Sequence, residues 1–236
     1  MDVSLSSRFE GFLNELPEAE CIDSTRPQSP NDPRRADFFL FNRQIVVELK
    51  QLIADQSHKG SREINTYLKD TGVQLFGEHS LSNIVTDELH HNPLEASVAR
   101  RMTRFVESKF KDANDQIGHE FSRLDRLSTG LLVLTNESLT ELHPRMVADR
   151  LIELARKRPS SVHYCLLIFE SHRVRLGDIF QPYPLLLDLT VSARQRRARP
   201  LLKHVQDLWA RKNGWPLGLP EPKELEYYPQ SIILGG

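Results

Sequence analysis

The chain contains very little cysteine. Cys21 and Cys165 are its only two, and their distance along the sequence excludes a disulfide-built scaffold and a CxxC metal site. Sparse cysteine is normal for proteins of a reducing compartment, so we expect a cytoplasmic protein. The sequence also lacks an HExxH metal motif and a GxSxG nucleophile elbow, which excludes two common classes of hydrolase.

Long hydrophobic runs are absent as well. No stretch of 18 consecutive apolar residues occurs, and the amino terminus has no basic segment followed by an apolar one. We therefore expect neither a membrane span nor export, and no membrane partner. The 31 basic and 32 acidic residues nearly cancel, so any surface that binds nucleic acid must be a local patch.

The spacing of apolar residues predicts an α/β fold with a mixed central β-sheet flanked by helices. A helix is expected at 4–16, a polar loop at 23–36, and then a hairpin built from ADFFLF and QIVVELK. Further helices are expected at 50–57, 61–70, 94–117, 143–157 and from Pro200 onward, with strands at 130–136, 161–170 and 185–191. We predict one domain over 1–190 and a basic helical C-terminal extension over 191–236.

Charged residues interrupt the apolar strands of the hairpin. If Asn42 and Arg43 form a two-residue turn, the numbers of cross-strand partners sum to 85, and Asp37 lies directly opposite Glu48. Alternation along the strand puts Lys50 on the same face as Glu48. Two opposed carboxylates repel each other, and a divalent cation such as Mg²⁺ reverses that repulsion. The pattern favours metal-assisted phosphodiester hydrolysis, in which Lys50 orients water or neutralises charge.

Asp37 followed by Glu48-Leu49-Lys50 resembles the motif of the PD-(D/E)XK nuclease superfamily, and the helix-strand-strand-helix order agrees with it. The resemblance implies a restriction endonuclease-like core and a nuclease that depends on Mg²⁺ or Mn²⁺, with DNA as the expected substrate and a homodimer as one expected state. It implies that Asp37, Glu48 and the backbone carbonyl of Leu49 hold the metal, and that Lys50 positions the water. Gln51 resembles a polar residue that some members add to the catalytic site.

A glutamate on the preceding helix often joins the metal site in that superfamily. Glu10 and Glu15 flank the apolar stripe of this helix about equally, so periodicity does not choose between them. We prefer Glu10 because it lies closer to the middle of the helix. The chain departs from the pattern at Ala36, where some members have proline. FKDANDQIG, 110–118, followed by GLLVLTN, looks like the later helix and strand of some members.

Other interpretations stay open. FSRLDRLSTGLLVLTNESL, 121–139, resembles a segment of bacterial pseudouridine synthases, in which Asp125 would be the catalytic residue and no metal would be needed. It departs from that family at Ser122 and Ser128. A catalytically silent nucleic-acid-binding module of nuclease-like fold would keep the hairpin without cleaving. In the plainest interpretation, Glu48 and Lys50 lie on the solvated face of an edge hairpin.

A basic cluster near the carboxyl end is the candidate contact with nucleic acid. Such side chains bind phosphates without reading sequence. The cluster consists of Arg194, Arg196, Arg197, Arg199 and Lys203. Trp209 and Trp215 follow it, and we expect them to pack against the sheet rather than stack on bases.

Overall fold

The fold is that of a computed structural model of the chain. It describes residues 3–26, 32–53, 66, 69–70, 78–80, 100, 103–124, 128–139, 142, 144–157, 159–170, 173–176, 179–182, 184–191, 198–215 and 231–233. Among these residues, no helix has the length and apolar character needed to span a membrane.

The described helices are α1 (Leu5–Glu15), α2 (Ile22–Thr25), α3 (Arg104–Phe121), α4 (Pro144–Lys157) and α5 (Arg199–Lys212). The described strands are β1 (Ala19–Cys21), β2 (Phe38–Leu40), β3 (Ile45–Gln51), β4 (Glu78–Ser80), β5 (Thr129–Asn136), β6 (Tyr164–Phe169), β7 (Arg173–Leu176), β8 (Ile179–Pro182), β9 (Leu185–Thr190) and β10 (Ser231–Ile233).

Six strands form a mixed sheet in the order β1-β2-β3-β5-β6-β9. The central strands β3, β5 and β6 run parallel, while β1, β2 and β9 pair antiparallel with their neighbours. The α/β fold with a mixed central sheet is therefore confirmed, and β9 lies at the end of the described strand order. Two further antiparallel pairs are β4 with β10 and β7 with β8.

The hairpin of β2 and β3 has the predicted register. Phe38 pairs with Val47 and Leu40 with Ile45, so the numbers of cross-strand partners sum to 85. Asn42 and Arg43 both have positive φ, and the Gln44 amide donates to the Phe41 carbonyl at 3.2 Å. These are the features of a type I′ turn, whose twist matches that of antiparallel strands. Arg43 occupies the position where glycine is favoured, and Phe41, before the turn, also has positive φ.

Apolar residues cover both faces of the sheet. On one face, residues such as Phe38, Val47 and Val133 pack against α1 and α5. On the other, residues such as Val46 and Leu134 pack against α3 and α4. Alternate residues of a strand point to opposite faces, so the helix pairs lie on opposite sides of one three-layer structure.

The predicted boundary at residue 190 does not coincide with a break in packing. Helix α5 lies in what we predicted as a C-terminal extension, yet Leu202, Val205 and Trp209 belong to the core on the α1 face. The Trp209 ring meets Phe9 edge to face, with 5.0 Å between the ring centroids. The expectation that Trp209 packs against the sheet is confirmed.

Three element boundaries differ from the predictions. A single helical turn, α2, occupies the start of the predicted loop at 23–36, with Ile22 buried. Strand β3 continues to Gln51, which pairs with Thr135, so no helix begins at 50. Helix α3 passes through Gly118 and ends at Phe121, so this glycine does not terminate the helix. It lies instead at a close contact, since a Cβ at Gly118 would be 2.9 Å from Ser161 Oγ.

Gly130 brings α3 close to the sheet. A Cβ at this position would lie 2.0 Å from the Ser161 carbonyl oxygen and 2.8 Å from Ile117 Cγ2, distances that a side chain does not tolerate. Only glycine therefore lets α3 and the loop before β6 approach β5 at this point. The consequence for the site is that α3 delivers side chains directly onto the neighbouring strand β3.

Candidate active site

The backbone and carboxylate of Asp37 are both fastened to their surroundings. Asp37 lies just before β2, where its amide donates to the Val47 carbonyl and its carbonyl accepts from the Ile22 amide, each at 3.0 Å. Its Oδ2 accepts from the Leu49 amide at 2.6 Å. The Asp37 carboxylate thus accepts a hydrogen bond from the backbone of β3 and lies near the neighbouring residue of that strand, Glu48.

Glu48 is almost completely buried, with 1% of its surface exposed. Its Oε1 accepts a hydrogen bond from Lys50 Nζ. Its Oε2 is buried and accepts no hydrogen bond from any residue that the structure describes. A buried carboxylate oxygen without a donor is costly, so this atom is suited to a proton or a cation.

Both carboxyl groups have a raised pKa. Burial, followed by the negative charge of Asp37, raises the pKa of Glu48 to about 8, while Lys50 acts in the opposite direction. Burial also raises the pKa of Asp37, although the Leu49 amide and the Lys50 charge lower it. The expected convergence of Asp37, Glu48 and Lys50 is what the structure contains, and it differs from a solvated edge hairpin because Glu48 is buried.

Lys50 lies between Glu48 and a residue of α3. Its side chain is 17% exposed, and Nζ donates to Gln116 Oε1 at 2.9 Å as well as to Glu48. An ammonium group has three donors, so one N–H of Lys50 has no acceptor among the described residues. Gln116 is a site neighbour that our sequence analysis missed. The available signal was its position, next to Ile117 on the buried face of α3.

The two glutamates of α1 have different surroundings. Glu10 is exposed, yet its negative charge contributes to the raised pKa of Asp37, as does that of Asp23. Glu15 instead forms an ion pair with Lys212 of α5. Position therefore favours Glu10 over Glu15. Among the described residues, however, no three His, Cys, Asp or Glu side chains are grouped closely enough to hold a metal ion together, so Glu10 does not complete a three-carboxylate set.

Gln51 does not join the other predicted catalytic residues. It follows Lys50 directly in β3, and alternate strand residues point to opposite faces. Its side chain therefore belongs to the face of Leu49, which packs on the α1 side, and away from Glu48 and Lys50.

The predicted basic cluster is described only in part, since Arg194, Arg196 and Arg197 lie outside the described residues. Arg199 is 3.8 Å from Asp188, and Lys203 is 3.0 Å from Asp207. These two exposed cations therefore already have acidic neighbours. Asp125, the catalytic residue expected for a pseudouridine synthase, also lies outside the described residues.

Comparisons with protein-family models, with curated proteins and with solved structures found no match to this chain.

Proposed function

We propose that the protein is a divalent-metal-dependent nuclease that hydrolyses phosphodiester bonds in nucleic acid, with DNA as the expected substrate. The observation that carries this proposal is the close pair of carboxyl groups, the half-buried Asp37 and the buried Glu48, beside the ammonium group of Lys50. When both carboxyl groups are ionised, two acids face one cation in a site where Glu48 is buried and Asp37 and Lys50 are partly exposed.

The chemistry of these residues fits Mg²⁺ or Mn²⁺. Hard divalent cations prefer carboxylate and carbonyl oxygens, and Glu48 Oε2 is a buried oxygen that lacks a donor among the described residues. Asp37 and Glu48 would hold the ion, and the resemblance to PD-(D/E)XK nucleases adds the carbonyl of Leu49. When bound, the ion would polarise a phosphoryl oxygen and lower the pKa of a water molecule.

The remaining chemistry belongs to side chains of the chain itself. Lys50 keeps one N–H free of described acceptors, and its side chain is partly exposed. It would donate this hydrogen to the attacking water or to a phosphoryl oxygen that gains charge in the transition state. The Leu49 amide would keep the Asp37 carboxylate ionised and oriented, because it donates to Oδ2.

The partners follow from this chemistry. A phosphodiester substrate brings its own negative charge, and Arg199 and Lys203 are exposed cations on α5 that would contact phosphates outside the catalytic site. A homodimer and a cytoplasmic location stay predictions of the sequence, as do the parts of the basic cluster that lie outside the described residues.

A cleavage assay tests the proposal. Wild type and Lys50→Ala are incubated with linear and circular DNA and with RNA, in Mg²⁺, in Mn²⁺ and in EDTA. We expect wild type to cleave nucleic acid only when metal is present. We expect the cleavage rate of Lys50→Ala to be at least 100-fold lower, the order expected when one donor to the transition state is removed. Lys157→Ala is the matched control, because Lys157 also pairs with a glutamate, Glu153, but on the exposed surface of α4.

The outcomes separate the alternatives. Absence of cleavage by folded wild type on every substrate would contradict the nuclease and favour a silent binding module. Cleavage that survives in Lys50→Ala would place the catalytic site elsewhere in the chain. Circular dichroism of each variant confirms that a lost rate is not a lost fold.

A further inference from the structure

The amide of Gln116 joins two parts of the candidate active site. Its Oε1 accepts from Lys50 Nζ at 2.9 Å, and its Nε2 donates to the Arg35 carbonyl at 2.5 Å. Arg35 lies two residues before Asp37. Gln116 therefore contacts both the strand that carries Lys50 and the segment that carries Asp37, from a third element, helix α3.

The orientation of this amide is determined by its partners. If the amide were turned over, its NH₂ group would face an ammonium group and its oxygen would face a carbonyl oxygen. Both contacts would then be repulsive, because ammonium has only donors and a carbonyl only accepts. Gln116 is also mostly buried, with 8% exposed, so water does not compete well for these bonds.

The helix that carries Gln116 is itself closely packed. Ile117, the next residue, lies within contact of the position where a Cβ of Gly130 would be, and Ala113 and Ile117 are fully buried in the core. The amide is thus presented from a rigid element rather than from a loop. A rigid support is what a catalytic group needs to stay within a fraction of an ångström of its working position.

We infer that Gln116 is a positioning residue that holds the Lys50 ammonium group over the acid pair during phosphodiester hydrolysis. The inference rests on the proposed nuclease function. Two of the three donors of Lys50 are engaged, by Glu48 and by Gln116, and these two bonds direct the third towards the substrate. Without Gln116, Lys50 keeps one hydrogen-bond acceptor among the described residues, Glu48, and its ammonium group is free to rotate about that bond.

Kinetics of Gln116→Met test this role. Methionine has a similar length but no donor for the Arg35 carbonyl, and its sulfur is only a weak acceptor for the Lys50 ammonium group. We expect kcat to fall on the order of 10- to 100-fold, with KM for DNA and the Mg²⁺ concentration at half-maximal rate both unchanged. A variant that only loosened the Arg35 segment would instead displace Asp37 and raise the Mg²⁺ requirement, and that result would overturn the inference.

Gln206→Met is the matched control. Gln206 is a partly buried glutamine on α5, against the opposite face of the sheet. It makes no contact with the candidate active site, so we expect its kcat and KM to equal those of wild type. An equal loss of kcat in Gln206→Met would overturn a specific role for Gln116, since any buried glutamine would then do the same.

A double-mutant cycle in urea tests the contact without any need for activity. Wild type, Lys50→Met, Gln116→Met and the double variant are unfolded in the absence of metal. Because Gln116 and Lys50 share a hydrogen bond, we expect the double variant to lose less stability than the two single losses combined. Additive losses would overturn the inference.

The cycle also separates failure of the inference from failure of the nuclease proposal. If wild type cuts nothing while the cycle shows coupling, the contact exists but the positioning role falls together with the nuclease. If wild type cuts and the losses in the cycle are additive, the nuclease stands and only the role of Gln116 falls.

Discussion

Glu48 and Glu120 are two buried glutamates on the same side of the sheet, with 1% and 0% of their surfaces exposed. In each, one carboxylate oxygen has no hydrogen-bond donor among the described residues. Glu120, on α3, accepts from Arg26 Nη1 at 3.2 Å. Glu48, on β3, accepts from Lys50 but also lies beside a second acid, Asp37.

The balance of charge distinguishes the two regions. Glu120 and Arg26 compensate each other, and the nearby Arg43 is compensated by Glu20, with which it makes hydrogen bonds of 2.6 and 3.0 Å. Among the described residues, the buried Glu48 and the half-buried Asp37 lie beside a single ammonium group, that of Lys50, and the exposed Glu10 adds negative charge. Burial of an acid is therefore not by itself a sign of a site. A second acid that lacks its own cation is, because a proton or a metal ion must then supply the missing charge.

Removal of each carboxylate should have very different effects on cleavage, and this is the largest expected contrast. Glu48→Gln keeps the shape but removes a carboxylate of the proposed metal site. We therefore expect the rate of DNA cleavage to fall on the order of 1,000-fold or more, within the range found when a group that stabilises the transition state is lost. Glu120→Gln should retain the wild-type rate within a few fold. The measurement is a cleavage rate at saturating Mg²⁺.

The contrast fails if Glu120→Gln loses as much activity as Glu48→Gln while both variants stay folded. The ion pair of Glu120 with Arg26 would then contribute to catalysis. The uncompensated second acid beside Glu48 would no longer distinguish a catalytic glutamate from a structural one.

How much of this region the sequence reveals depends on the range of the interactions. A two-residue turn determines the register of the hairpin, and this register predicts Asp37 opposite Glu48. These are local rules. In the structure the ladder ends at Phe38, and the Asp37 amide donates to the Val47 carbonyl.

The alternation of side chains along β3 puts the Gln51 side chain on the opposite face from Glu48 and Lys50, although the resemblance to the nuclease superfamily suggests a catalytic role for Gln51. The surroundings of Glu10 and Glu15 differ through an ion pair between Glu15 and Lys212, which lie almost at opposite ends of the chain, so a local pattern could not reveal the difference.

The contacts of Gln116 could not be predicted from local sequence rules. Its bonds to Lys50 and to the Arg35 carbonyl depend on how closely α3 approaches β3, and that distance is set by Gly130 against Ile117 and Ser161. In the sequence, the only trace is a polar residue on a helical face whose other members, Val106, Phe110 and Ala113, are buried. Glu120 lies on the same face for the same reason. The helical periodicity identifies Gln116 and Glu120 as polar residues on a buried face, but it does not show which of the two belongs to a site.

The pH dependence of stability in EDTA should separate the two glutamates next. Because the pKa of Glu48 is raised from 4.5 to about 8, the folded protein binds more protons than the unfolded chain between these values. Its free energy of unfolding therefore falls as the pH rises from about 4.5 to about 8. Glu48→Gln removes this titration, so its melting temperature relative to wild type should rise steadily across the same interval.

Melting curves at half-unit pH steps measure this difference, with Glu120→Gln as the control for loss of a buried carboxylate. If Glu120→Gln removed the decline as completely as Glu48→Gln, the pairing of Glu48 with Asp37 would not be its cause. If neither variant removed the decline, the carboxyl group of Glu48 would not be the group that titrates between pH 4.5 and about pH 8.

Stabilisation by Mg²⁺ is a smaller effect of the same acid pair. An ion that binds only the folded state raises the free energy of unfolding by about 1–3 kcal/mol at concentrations of roughly 10 to 100 times its dissociation constant. We expect Mg²⁺ to raise the melting temperature of wild type and of Glu120→Gln at pH 8, and to leave that of Glu48→Gln unchanged. An equal rise in all three proteins would locate the bound ion outside the acid pair.

The smallest expected effect concerns the exposed acid next to the pair. Glu10→Gln removes a charge that attracts a cation to Asp37 but is well solvated, so the Mg²⁺ concentration at half-maximal stabilisation should rise only about threefold, as for other exposed charge pairs. Glu15→Gln, on the same helix but paired with Lys212, should not change it. A rise of more than about thirtyfold in Glu10→Gln would exceed what a solvated neighbour can contribute, and Glu10 would then be a direct ligand. No rise at all would mean that the charge of Glu10, although it acts on Asp37, does not reach the bound ion.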